Sequence, residues 1–449
     1  MAETKLVVLD DDPTGSQTVH SCLLLTRWDV GTLDEALQDE VPLFFVLTNT
    51  RGMNAERAAG ITREVCQNLK RALAQLADSG RVIEPIIISR SDSTLRGHYP
   101  VETDVIAEEL GPFDAHFLIP AFIEGGRITR DAVHYLMVDG KPVPVNKTEF
   151  SNDSVFGYKH AFLPDYIEEK TRGRIRASQV ERFNLADVRK GCLDRLLALS
   201  NNVACVVDAE SFEDLAGFAR DLNAAAKQGK RFLCRSAAGI VSALAAQPPQ
   251  PVAAEDMHRY VRNARPGAVL VGSHVRKTTR QLLQLLKEKD ISPVEIDVAQ
   301  IQDHAQALLG EVMQRIEQIY SQGLAPVIYT SRIELTFADE QTRLAFGEQV
   351  SAFLMEVVRQ LPRDIGFLIS KGGITSNDVL SHGLALRNAR VLGQILPGCS
   401  VVRCGDDHPQ FPLLPVVIFP GNVGDDQALA AAFRRLAGPV SAKLKQAGD

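Results

Sequence analysis

The stretch Ile83-Glu84-Pro85-Ile86-Ile87-Ile88-Ser89-Arg90-Ser91-Asp92-Ser93-Thr94-Leu95-Arg96-Gly97-His98 decides how the chain is read. It opens as an apolar run of strand length and turns, without a break, into a cluster of cations, hydroxyls and a carboxylate. Residues 101–110 behind it read as a helix. A polar cluster between a buried strand and a helix sits at the carboxyl edge of an α/β unit, where open parallel sheets bind ligands.

Working outward, the same pattern recurs. A strand over 5–9 runs into Asp10-Asp11-Asp12-Pro13-Thr14-Gly15, and one over 43–48 into Asn49-Thr50-Arg51-Gly52 before a long amphipathic helix over 54–76. The adjacent carboxylates either receive something cationic or cap a helix start. Residues 115–119 form another strand, and Asp139-Gly140 between 135–138 and 141–145 is a hairpin signal that interrupts the alternation. Alternation resumes with strands over 203–207 and 231–234 and helices over 212–227 and 237–246. Gln247-Pro248-Pro249-Gln250-Pro251 is the strongest linker signal.

Beyond it, strands over 268–271, 365–369 and 416–419 open into Gly272-Ser273, Gly372-Gly373-Ile374-Thr375 and Gly421-Asn422-Val423-Gly424, with further strands over 293–298, 326–330 and 401–404. The pattern predicts an α/β protein of two domains, each a mostly parallel sheet flanked by helices. Their bounds are 1–247 and 257–449, with a linker over 248–256.

With 45% hydrophobic residues in 449, the chain can bury two cores. A net charge of −7 speaks against nucleic acid as partner. No apolar run approaches the roughly 18 residues of a membrane span, and the first residues lack a secretory pattern, so a cytoplasmic protein is expected. The seven cysteines include no Cys-x-x-Cys pair and read as buried thiols. No His/Cys cluster predicts a dedicated metal site.

The two halves carry different chemistry. Glycine turns after strands let a backbone approach an anion closely, with helix amides pointing at it, so three of them in the second half suggest a phosphate or nucleotide site, the alternative being purely structural turns. The first half offers carboxylates at Asp11, Asp12 and Asp92, guanidinium groups at Arg51, Arg90 and Arg96, and hydroxyls at Ser91, Ser93 and Thr94. Arginine grips carboxylates bidentately and aspartate accepts from sugar hydroxyls, a combination that suits a small polyhydroxy acid.

Asp11-Asp12-x-Thr14-Gly15, Asp92-Ser93-Thr94-Leu95-Arg96-Gly97, Gly272-Ser273 with Thr278 or Thr279 and Gln281, Gly372-Gly373-x-Thr375 and Gly421-Asn422-x-Gly424 occur in the order found in the four-carbon acid sugar kinase family, which the chain resembles over nearly its whole length. The resemblance implies ATP and Mg²⁺ as cofactors and phosphorylation of the terminal hydroxyl of threonate, erythronate or 3-oxo-tetronate. It places Asp11, Asp12, Arg51, Arg90, Ser91, Asp92, Ser93 and Arg96 at the acid, and Gly272, Ser273, Gly372, Gly373, Ile374, Thr375, Gly421, Asn422 and Gly424 at ATP. Asp12, with Asp92 in reserve, is the expected acceptor of the hydroxyl proton. Arg96 or Arg51 is expected to pair with the substrate carboxylate. The alternatives are a kinase for another small hydroxy acid and a non-catalytic sensor. A homodimer is one assembly left open.

Overall fold

The computed structural model describes residues 3–332, 335, 337 and 339–438. The chain forms two compact units that divide between Pro248 and Pro249.

The strands of the first unit are β1 (Glu3–Asp10), β2 (Leu23–Leu25), β3 (Leu43–Leu47), β4 (Ile83–Arg90), β5 (Ala115–Ile119), β6 (Arg127–Arg130), β7 (Val133–Val138), β8 (Lys141–Pro144), β9 (Glu181–Phe183), β10 (Val203–Val207) and β11 (Phe232–Ser236). All but β6–β8 lie in the order β2-β3-β1-β4-β11-β5-β10-β9, paired in parallel. Parallel strands covered on both faces are apolar throughout, and Leu6–Leu9 and Leu43–Leu47 are buried. The helix Ala55–Asp78 is capped by Asn54, whose side chain accepts from the Arg57 amide, and it packs Val65, Leu69 and Ala72 onto Val7, Phe44 and Ile87.

Chain order makes the geometry of the site. From β1 the chain passes to β3 on one side and then to β4 on the other. That reversal sets the carboxyl ends of β1, β3 and β4 side by side, the kind of place where open parallel sheets bind ligands. The Asp-Gly signal does make a turn, with Asp139 and Gly140 both at positive φ. It joins two strands of the three-stranded antiparallel sheet β6-β7-β8.

The second unit holds β12 (Ala268–Val271), β13 (Ile291–Ile296), β14 (Ala325–Thr330), β15 (Leu368–Lys371), β16 (Asn388–Leu396), β17 (Cys399–Cys404) and β18 (Pro415–Phe419), in the order β13-β14-β12-β15-β18-β17-β16. Pairing is parallel as far as β18; β17 and β16 join antiparallel. The reversal here lies between β12 and β15, and β12, β15 and β18 end side by side. The proline-rich segment does not hang free. Gln250 donates to the carbonyl of Gln394 on β16 (3.1 Å) and accepts from its amide (2.8 Å).

Candidate functional site

In the first unit the strand ends form one ionic network. Asp11, directly after β1, accepts from Arg51 Nη2 (2.5 Å) and Nε (3.2 Å) and from Ser91 Oγ (2.5 Å). The same guanidinium reaches Asp12 through Nη1 (3.3 Å), so its planar fork bridges both carboxylates. Asp12 also accepts from the Thr14 amide (2.9 Å), which starts the short helical turn Gly15–Thr18. Of the two roles weighed for this aspartate from sequence, cation pairing is formed, while the cap position of that turn falls to Thr14 and no side chain caps it. Asp92, past the end of β4, accepts from Arg96 Nε (2.7 Å) and from the Thr94 hydroxyl.

Burial alone would raise both Asp12 and Asp92, but nearby cations win. Arg51 and Arg90 together with Thr14 lower Asp12, and Arg51 and Arg96 hold Asp92 well below the usual carboxylate range. Both are carboxylates at neutral pH. Exposure then sorts the cluster. Arg51 (19%), Asp12 (24%), Arg96 (29%) and Asp92 (13%) reach solvent, whereas Asp11 (2%) and Arg90 (6%) do not.

Arg90 is accordingly placed beneath the site rather than in it. The parallel register sets it opposite Asp10, and Nη1 donates to Asp10 Oδ1 (3.0 Å). Asp10, wholly buried, is pushed up to about 7 by desolvation, which the Arg90 charge only partly offsets. Ser91 serves the network from below, donating to Asp11 while accepting from Arg235 Nη2 (2.7 Å). Ser93 contributes its carbonyl, which accepts from His134 Nε2 (2.8 Å).

Arg235 and Glu102 were not legible from sequence. Arg235 Nη1 donates to Glu102 Oε2 (2.6 Å) and Ser89 Oγ (2.8 Å), and Thr50 Oγ1 donates to Glu102 Oε1 (2.6 Å). The one available signal was an arginine directly after the apolar Phe232-Leu233-Cys234.

In the second unit the three glycine turns come together. A Cβ on Gly272 would fall on Thr375 Oγ1, and one on Gly372, at φ +128°, would lie 2.9 Å from the same atom and 3.2 Å from Ser273 Cβ. Gly424, at φ +78°, leaves no room for a Cβ beside Ala428. A Cβ on Gly373, by contrast, would meet nothing within 4 Å. Thr278 Oγ1 ties the turns, donating to the Gly421 carbonyl (3.2 Å) and lying 3.3 Å from Ser273 Oγ, while Gln281 Nε2 donates to the carbonyls of Val423 (2.9 Å) and Asp425 (2.8 Å). Ile374 is 76% exposed, and the Asn422 carbonyl accepts from Lys277. Lys371, not singled out beforehand, ends β15 fully buried and donates to the carbonyls of Pro420 and Gly421 (3.0 Å). Burial lowers it from 10.5 to about 7.

Among the described residues, no group of three or more His, Cys, Asp and Glu side chains could hold a metal, and no helix is long and apolar enough to cross a membrane.

These are two α/β units, one with an ionic network at its strand ends and one with three glycine turns brought together at its strand ends. Family comparison gives both a description: a sugar-binding N-terminal domain matches residues 6–244 and a nucleotide-binding C-terminal domain matches 268–429. The chain belongs to the four-carbon acid sugar kinase family. It is 22% identical to a D-erythronate kinase of Heliobacterium modesticaldum, with 98% of each chain covered. It is 26% identical to a D-threonate kinase of Bordetella bronchiseptica over 168 residues, 36% of this chain and 38% of that one. A crystal structure from Salmonella typhimurium LT2, named as a candidate tRNA synthase, superposes with TM-score 0.71 at 19% identity, covering 96% of this chain and 99% of its own. That likeness shows the fold.

Proposed function

We propose that this protein is an ATP-dependent kinase that phosphorylates the terminal hydroxyl of a four-carbon sugar acid of the erythronate or threonate type. The observation that carries the reading is the Arg51 fork across Asp11 and Asp12 at the reversal point of the first sheet, with Arg96 and Asp92 beside it and all but Asp11 open to solvent. Arg51 and Arg96 are the cations within reach of a substrate carboxylate, and Asp12 and Asp92 accept from hydroxyls. The kinase names of the relatives support the same chemistry.

For the nucleotide, the glycine turns fit a phosphate chain. Gly272 and Gly372 are closed to side chains by Thr375, while Gly373 faces open space at the start of the helix Gly373–Asp378, where backbone amides are free to donate. Mg²⁺ is commonly held by substrate phosphates with one or two carboxylates. Bound there, it would neutralise phosphate charge.

Asp12 is the proposed proton acceptor. It is ionised and partly exposed, and its Thr14 contact fixes it. The test is ADP release with D-erythronate and D-threonate, in wild type and Asp12→Asn. Turnover of either acid in wild type, with kcat cut by roughly 10²–10⁴ in a folded variant, is expected. A folded Asp12→Asn enzyme with unchanged kcat would remove this residue from the proton transfer.

A further inference from the structure

Between β5 and β10 the chain leaves the main sheet for residues 122–180, which hold β6–β8 and the helix Leu163–Lys170. Side chains of this excursion converge on the Asp92 loop from one side. His134 Nε2 bonds the Ser93 carbonyl (2.8 Å), Tyr158 Oη donates to that of Thr94 (2.8 Å), and Tyr166 Oη to that of Leu95 (2.8 Å). Consecutive carbonyls of a loop with no ladder of its own are thus each satisfied by a buried side chain.

The loop needs such holding. Leu95 sits at φ +69°, a left-handed conformation unfavourable for a residue with a Cβ. Its side chain is buried with Tyr158, Tyr166, Leu163 and Val145. His134 is fully buried and held neutral by burial, down to about 4. Since Ser93 offers only a carbonyl, Nε2 carries the ring proton and Nδ1 accepts from Thr129 Oγ1 (2.9 Å). The excursion also reaches the cation itself: Arg96 lies over the Phe150 ring, 4.9 Å from its centre.

We propose that His134, Tyr158 and Tyr166 are positioning residues for the sugar acid, an inference that rests on the kinase reading above. By fixing the Ser93–Leu95 backbone they aim Asp92 and Arg96 at the substrate.

The experiment is steady-state kinetics of Tyr158→Phe/Tyr166→Phe, which removes two hydroxyls and nothing else, assayed well below its melting midpoint with acid and ATP varied separately. Because misplacement by about 1 Å can cost on the order of a hundredfold, kcat/KM for the acid should fall about tenfold or more. KM for ATP should stay within about twofold, since uniform binding of the other substrate is untouched. His134→Gln, which keeps a donor near the Nε2 position, should retain more acid activity than His134→Leu. Acid kinetics unchanged in the folded double variant, or acid and ATP parameters worsening together, would overturn the inference alone. Failure of wild type to turn over either acid would overturn the kinase reading and this inference with it. If the double variant does not fold, the single Tyr→Phe variants give the same readout.

Discussion

Replacing Arg235 by methionine should be among the most damaging single changes in the first unit. Both members of the Arg235–Glu102 pair are almost fully buried, at 4% and 5% side-chain exposure, and the pair is close at 2.6 Å. Methionine fills much of the arginine volume but leaves the Glu102 carboxylate with Thr50 Oγ1 as its remaining hydrogen-bond donor. Breaking one side of a buried pair typically costs about 3–5 kcal/mol, because the surviving charge stays out of water unpaired. For a folded unit of this size, about 2–4 °C is lost per kcal/mol, so the midpoint should drop by about 6–20 °C. The chain supplies a selective probe. Trp28 is its single tryptophan and packs against the first unit's core, so fluorescence melting reads this unit. Replacing both partners, Arg235→Met with Glu102→Leu, should recover most of the loss, since apolar substitutes for a buried pair are often neutral. A single variant melting within about 2 °C of wild type, or a double variant no better than the single, would refute the idea that the unpaired charge sets the cost.

The glycine turns separate two effects. Gly272→Ala should lower the stability of the second unit by about 1–3 kcal/mol, as its Cβ collides with Thr375, whereas Gly373→Ala should leave melting unchanged and weaken ATP binding by calorimetry. Equal losses of stability in both would refute the open space at Gly373. Lys371 predicts a pH dependence. Its folded value near 7 lies below the ordinary 10.5, so between these the unfolded chain binds more protons and stability rises with pH. The midpoint difference between wild type and Lys371→Met should therefore grow from pH 7 to about 10, and a flat difference would show that the lysine is not held neutral.

Much of both units is local and so was legible. An apolar run followed at once by polar residues marks a strand and its exposed end wherever the chain carries it, which is why the strand ends at Asp11, Arg51 and Asp92 and the turns at Gly272, Gly372 and Gly421 stood out. Glycine has its effect written into its own backbone, so the turn at Asp139-Gly140 was also readable. The three-residue strands β2 and β9 carry too little pattern to detect, and β16, kinked by a bulge around Gly393, breaks the alternation that would have announced it.

Which strand ends become neighbours was not local. Arg90 looked like a substrate cation because sequence cannot say that Asp10, eighty residues earlier, lies opposite it in the parallel register. Arg235 and Glu102 are 133 residues apart, and Lys371 meets Gly421 across 50. Such pairs exist only after strand order and register are set. By itself the sequence determined the types of element and the chemistry at their ends. Only the tertiary structure decided which charges are consumed in holding the strand ends and which, at Arg51, Asp12, Asp92 and Arg96, stay open to a ligand. The reason is burial: a charge removed from water must find its partner inside the fold, and that partner comes from whichever strand is packed alongside.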